Sequence, residues 1–185
     1  MEDSTKILYR EILERYAKVI WTHKIHLCQA DIYNKQNKRH NSVLAILSCL
    51  VSLAAITNVL KWLPEGMMVP ILAVLSLVLT YYTTKYKAVN LSKAASESEH
   101  FASTMHDLRN RYAGLLAEIK SGILNNQQIV LRRDQIEREE HLIYSGIVPF
   151  TSKKAVDAAD KALKTKQESI TTDEEIDKLV SQNLQ

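Results

Sequence analysis

Six histidines and two cysteines are the residues of this chain with metal or nucleophile chemistry open to them. Glu97-Ser98-Glu99-His100 reproduces the Glu-x-x-His element with which helical bundles hold paired iron ions. Such a centre needs a second copy of the element and two more inward carboxylates, and no second Glu-x-x-His occurs. His23 and His26, three apart on one helix, could share a ligand; the competing reading is a pair of surface or interhelix polar residues. Cys28 and Cys49 have neither metal-ligand nor redox spacing and read as reduced thiols, Cys49 within an apolar segment. The sequence contains no glycine-rich phosphate loop, and no Ser-His-Asp or Cys-His arrangement can be argued from it. The expectation is a protein without catalytic residues, resident metal or cofactor.

The elements that would position any site are more informative. Four glycines and three prolines in 185 residues leave little punctuation, so the chain reads as all-α with long helices. Its apolar residues gather between positions 43 and 82. Val43 to Leu63 carries one charge, Lys61, and spans about 31 Å as a helix, which matches a bilayer core. Met67 to Tyr82 carries none but spans only about 24 Å, so its flanks must extend it, to about residue 84, or the bilayer must thin. Pro70 falls in the first turn of that run, and Pro64-Glu65-Gly66 is too short for anything but a tight turn. These features predict a two-span antiparallel hairpin. The alternative is a soluble bundle whose outer helices bury the hairpin.

Lys35, Lys38 and Arg39 precede the first span and Lys85, Lys87 and Lys93 follow the second, whereas the turn offers Lys61 alone. This asymmetry predicts that both termini are cytoplasmic, with Trp62 at the outer interface and Tyr81, Tyr82 and Tyr86 at the inner one. About forty hydrophilic residues precede the first span, so no cleavable signal peptide is expected. The net charge of +3, with acids and bases interleaved, gives no reason to expect direct nucleic-acid binding.

Residues 7 to 32 keep helical apolar spacing and predict one long helix entering the first span. After the second span, Phe101, Met105, Leu108, Tyr112, Leu115 and Ile119 recur at steps of four and three, the seam of a coiled coil or an antiparallel pair. The hairpin would then continue as a cytoplasmic helical stalk, or the seam would join copies of the chain. Ser121-Gly122 and Asn125-Asn126 end the helix. Residues 127 to 144 form a charged helix that reads as a solvated face. Thr151 or Ser152 caps an Ala- and Lys-rich helix to about Gln167, and Thr172-Asp173-Glu174-Glu175 caps a last short one. The domain reading is a two-span domain over 1–168 and a C-terminal short helix or tail over 169–185.

Within the spans, Ala45, Ser48, Ser52, Ala55 and Val59 share one helical face, and Val69, Ala73, Ser76, Thr80 and Thr83 another. Small residues let helices approach closely in lipid, so the stripes could pack the spans together. Alternatively, after oligomerisation, their hydroxyls could line a water-filled pore. Asn58 either bonds to a neighbouring helix or narrows the pore mouth, and Lys61 snorkels outward.

The long N-terminal helix with Trp21 and His23-Lys24-Ile25-His26, the tight hairpin, and the Phe101 to Ile119 helix together resemble the SLATT family, the SMODS and SLOG-associating two-transmembrane effectors. So does Pro149-Phe150-Thr151-Ser152-Lys153-Lys154-Ala155 before an Ala-rich helix. The resemblance covers most of residues 5 to 168. It implies a homo-oligomeric effector of a bacterial anti-phage or conflict system that breaches the inner (plasma) membrane. Family members are encoded with or fused to sensors such as nucleotide second-messenger synthases or reverse transcriptases. No such domain fits within 185 residues, so the implied trigger is a separate sensor protein or a nucleotide second messenger. The alternative from another class is a membrane-anchored helical scaffold that recruits a cytoplasmic partner.

Overall fold

The computed structural model describes residues 3–59, 65–87 and 90–165, and every regular element among them is a helix. In chain order these are α1 (Asp3–Val59), α2 (Glu65–Lys87), α3 (Leu91–Lys120), α4 (Asn126–Ser145) and α5 (Lys153–Thr165). The chain is thus all-α, as its composition predicts. It divides into two compact units, one of Asp31–Ala95 and one of the residues on either side of that stretch. No Gly or Pro interrupts the 57 residues of α1, so the expected single N-terminal helix forms and carries the first apolar run as far as Val59, where the described residues stop.

The first unit comprises α1 as far as Ala30, α3 from Ser96, α4 and α5. All six seam residues of α3, Phe101, Met105, Leu108, Tyr112, Leu115 and Ile119, are buried, and Ile12, Tyr16, Val19 and Ile20 of α1 share their cluster. The expected two-helix stalk is, however, half of a larger core. Helix α4 adds Ile129 and Ile136, and α5 adds Leu163 behind buried Ala155, Ala159 and Ala162. The α3 seam is therefore consumed within one chain, leaving it no surface to offer a second copy.

The charged run on α4 is not simply solvated, because its charges have partners on two neighbouring helices. Glu137 pairs with Arg15 of α1 at 3.0 Å and Arg133 with Glu11 at 3.1 Å. On the α3 side Arg132 meets Glu118 and Arg111 meets Glu139, both at 2.6 Å. Each such exposed pair contributes at most about 1 kcal/mol, whereas burying an isoleucine contributes about 1.5–3 kcal/mol. Ile129 and Ile136 hold α4, and the ion pairs fix its register.

Local chemistry sets the ends. Past α3, Gly122 adopts φ 71°, where a Cβ is strained, and its amide donates to the Ile119 carbonyl at 3.1 Å. Asn125 caps α4 reciprocally with Gln128. Of the two residues proposed to cap α5, Ser152 does so, its hydroxyl accepting the Ala155 amide at 3.3 Å. The Ser152 amide in turn donates to Oε1 of the buried Gln29 at 2.7 Å.

The second unit holds α1 from Asp31, α2, and α3 as far as Ala95. At 23 residues α2 spans about 35 Å, longer than the apolar run alone predicts, because Glu65–Gly66 and Thr83–Lys87 continue the helix at its two ends. Glu65 and Gly66 are already helical rather than part of a turn, which puts Pro70 beyond the first turn and deprives the Gly66 carbonyl of its intrahelical amide. Asn90 caps α3, its Oδ1 accepting the Lys93 amide at 3.0 Å. Pro64, Lys61, Trp62, the Thr172–Glu175 capping box and the 169–185 tail lie outside the described residues, as does the Asn58 side chain.

Candidate functional site

Two of the sequence features with possible chemistry fall in the bundle unit. His23 Nδ1–H donates to the Ala102 carbonyl at 2.8 Å, its ring 5.5 Å from that of His106, while His26 packs 4.4 Å from Phe101. The two histidines thus face different neighbours and do not converge on a shared ligand. Burial lowers the His23 pKa, with His106, Arg109 and Lys24 adding repulsion and the Ala102 carbonyl opposing. His26 is 3% exposed with Nδ1 unpartnered, and burial alone lowers its pKa. Glu97 and His100 are both exposed on α3. Among the described residues no group of three or more His, Cys, Asp or Glu could hold a metal ion.

The hairpin unit is organised differently. The His40 ring stacks 4.2 Å from Tyr86 and 5.0 Å from Tyr82, which ties the start of the first apolar run to the end of α2 and makes the two helices antiparallel. Leu44, Leu47, Val51 and Ala54 on α1, and Leu72, Leu75, Leu79, Tyr82 and Tyr86 on α2, are half-buried. Both sets step by threes and fours, the spacing of a packed seam. Ile46, Leu53, Ile56, Val69, Val74 and Leu77 point away from it, each 54–70% exposed. Within the most apolar window of each span no residue is fully buried. Helices of this length and hydropathy could cross a membrane.

Ser48, Ser52, Ser76 and Thr80 are exposed and Thr83 is half-buried, so the spans meet through leucine and valine rather than through their small-residue stripes. The hydroxyls satisfy themselves within their own helices. Ser52 donates to the Ser48 carbonyl at 3.0 Å, Thr80 to Ser76 at 2.8 Å and Thr83 to Leu79 at 2.8 Å. At about 100° per residue, Ser48 and Ser52 sit roughly 80° and 120° past the centre of the α1 seam. Ser76 and Thr80 repeat that offset, in the same rotational sense, from the seam of α2. Because the helices run in opposite directions, equal offsets bring both stripes to one side of the hairpin. One face is lined by the hydroxyls, alanines and Val69; the rest of the exposed surface is largely aliphatic, with Cys49 and Tyr81 among it.

Sequence reasoning did not single out His40, Gln29 or Glu140. His40 carried a weak signal, lying one turn before the apolar run. Gln29 and Glu140 matter through partners on other helices, and nothing in their local spacing announces that.

A family model described as SMODS and SLOG-associating 2TM effector domain family 4 matches residues 8–175. No curated protein and no solved structure matches.

Proposed function

This chain belongs to the SMODS and SLOG-associating 2TM effector domain family 4, and from that premise we propose that it is a membrane-breaching effector of a bacterial conflict system. In this reading α1 and α2 cross the inner membrane with both termini cytoplasmic, and several hairpins assemble when a separate sensor or a nucleotide second messenger signals. The single observation that carries it is the two-faced hairpin. Its aliphatic surface is exposed within the chain and suits lipid, whereas Ser48, Ser52, Ser76 and Thr80 share the opposite face. In a ring of hairpins, hydroxyl faces turned inward would meet water without loss of hydrogen bonds, and aliphatic faces would meet lipid. The bundle unit would receive the trigger, since its own seam is already filled and its surface remains open to a partner.

The test is to co-express the chain with its cognate sensor, activate the sensor and follow a potential-sensitive dye. Rapid depolarisation is expected; an intact potential in cells that contain the protein in the membrane fraction overturns the proposal.

A scaffold reading has one observation in its favour, the exposed Ile147 and Phe150 between α4 and α5, 95% and 75% accessible, which could recruit a partner. Replacing Ser48, Ser52, Ser76 and Thr80 together by Leu separates the readings: a scaffold tolerates the change, and a pore does not.

A further inference from the structure

Helices α4 and α5 are joined by residues 146–152, which form no regular element. The Gly146 amide closes α4 on the Ile143 carbonyl at 3.3 Å, and Ser152 caps α5. Pro149 fixes its own φ and turns Val148 away from helical geometry, so the segment stays extended whichever way α5 lies. Extended, it reaches about 23 Å, roughly twice the diameter of a helix. Ile147, Val148 and Phe150 along it are exposed, an apolar run that a single chain leaves in water. By what it buries, α5 is the most lightly held helix of the bundle. It seats three alanines, Ala155, Ala159 and Ala162, and one large side chain, Leu163, beside the Ser152 amide's bond to Gln29 at 2.7 Å. Helix α4 buries Ile129 and Ile136 and also accepts the Tyr112 hydroxyl through Glu140. A methyl removes far less apolar area from water than an isoleucine side chain, so α5 leaves its seat at the lowest cost.

A seat that accepts α5 from its own chain accepts the identical helix from a second copy through the same contacts. The tether gives α5 an effective concentration on the order of millimolar at its own seat, so dilute chains stay closed and crowded chains exchange. Exchange also brings two copies of the 146–152 hinge side by side, where their apolar side chains gain cover that one chain does not supply. We propose that two copies of this chain pair by exchanging α5, each helix seated in the other's bundle and the two hinges packed through Ile147, Val148 and Phe150. The inference rests on the assembly reading above for its role, and it names the contact through which copies meet. It needs nothing from the α3 seam, which is filled within each chain.

The test mixes nitrogen-15-labelled and unlabelled full-length chain in detergent, concentrates the mixture, and cross-links its amines. Lys24 lies about 7.5 Å along α1 from Gln29, and Lys153 follows Ser152, so a Lys24–Lys153 cross-link reports which chain α5 sits in. After concentration, roughly half of these links should join a labelled to an unlabelled peptide, as random exchange requires, and almost none should do so before it. Hinge length separates exchange from copies that merely touch. Deleting Ile147 and Val148 strains the return of α5 to its own seat and should raise the dimer share in native mass spectrometry about tenfold; inserting about six Gly and Ser residues after Val148 should lower it about as much. Leu163→Asp, which unseats α5 from either chain, should remove the dimer and the mixed links together. Mixed links at background after concentration overturn the proposal. So does a dimer share indifferent to hinge length, or a dimer that survives Leu163→Asp, since copies would then meet elsewhere. Capture of a different protein by the hinge of a chain that stays monomeric overturns it as well. Depolarisation is scored separately in cells, so exchange with an intact potential supports this inference and removes the pore reading alone.

Discussion

Replacing Tyr112 by Phe removes one oxygen from the most buried aromatic of the bundle and leaves its shape intact. The ring is 0% exposed, and its hydroxyl donates to Glu140 Oε2 at 2.7 Å. Burial, then the bond to Glu140 and its charge, raise the phenol pKa far above its ordinary value, so the group stays a donor at any workable pH. Hydrogen bonds to a charged acceptor contribute about 1.5–3 kcal/mol. The lower end applies here, because the Glu140 side chain is 18% exposed and keeps Arg15 at 3.8 Å. Water and the guanidinium can replace part of what the phenol supplied. The expected loss is about 1.5 kcal/mol, or roughly a tenfold rise in the opening equilibrium of the bundle. Hydrogen exchange of α3 and α4 amides in the detergent-solubilised full chain reads this directly, and a double-mutant cycle with Glu140→Gln isolates the pair. Exchange within about twofold of the parent, or a coupling energy near zero, would refute the argument that Glu140 draws its hold on α3 from Tyr112.

Gln29→Leu should leave the half-buried Ser152 amide without its acceptor and loosen α5 by about 1 kcal/mol, seen as faster cleavage between Gly146 and Ser152 in limited proteolysis. Acid should weaken the bundle. Since the fold lowers the pKa of His23 and His26, their contribution is intact above the unfolded value of 6.5 and is lost as pH falls from there through the folded values. A melting temperature that declines below pH 6.5, and declines less in His26→Phe, is the expected result. The fourfold Leu variant of the hydroxyl face should still float with vesicles yet fail to depolarise cells, and retained depolarisation would disconnect that face from function.

Parts of this fold are legible in the sequence because one helix alone specifies them. The helical apolar runs, as far as they are described, and the buried face of α3 follow from residue spacing within single segments, whereas what packs on that face does not. The place of α4 was hidden because eight of its residues are charged or histidine, a composition that suggests water, and its ties to Arg15 and Glu11 connect helices more than a hundred residues apart. Ile129 and Ile136, seven apart on one face, were the available sign that it packs. The hairpin misled in a different way. Small residues read as the natural contact between spans, yet the heptad leucines compete for the same interface, and their larger buried area prevails.

The shared side of the two Ser/Thr stripes has a mechanical consequence. A hairpin whose wet and greasy sides are fixed to one rigid seam can exchange them by rolling about its own long axis. Such a roll leaves the half-buried seam residues of both helices in place and unmakes none of the back-bonded hydroxyls. On the proposed pore reading only the environment of each side would change, and any barrier between a sealed and a conducting arrangement would lie with neighbouring copies and lipid rather than in the hairpin's interior. Assembly alone could then act as the switch.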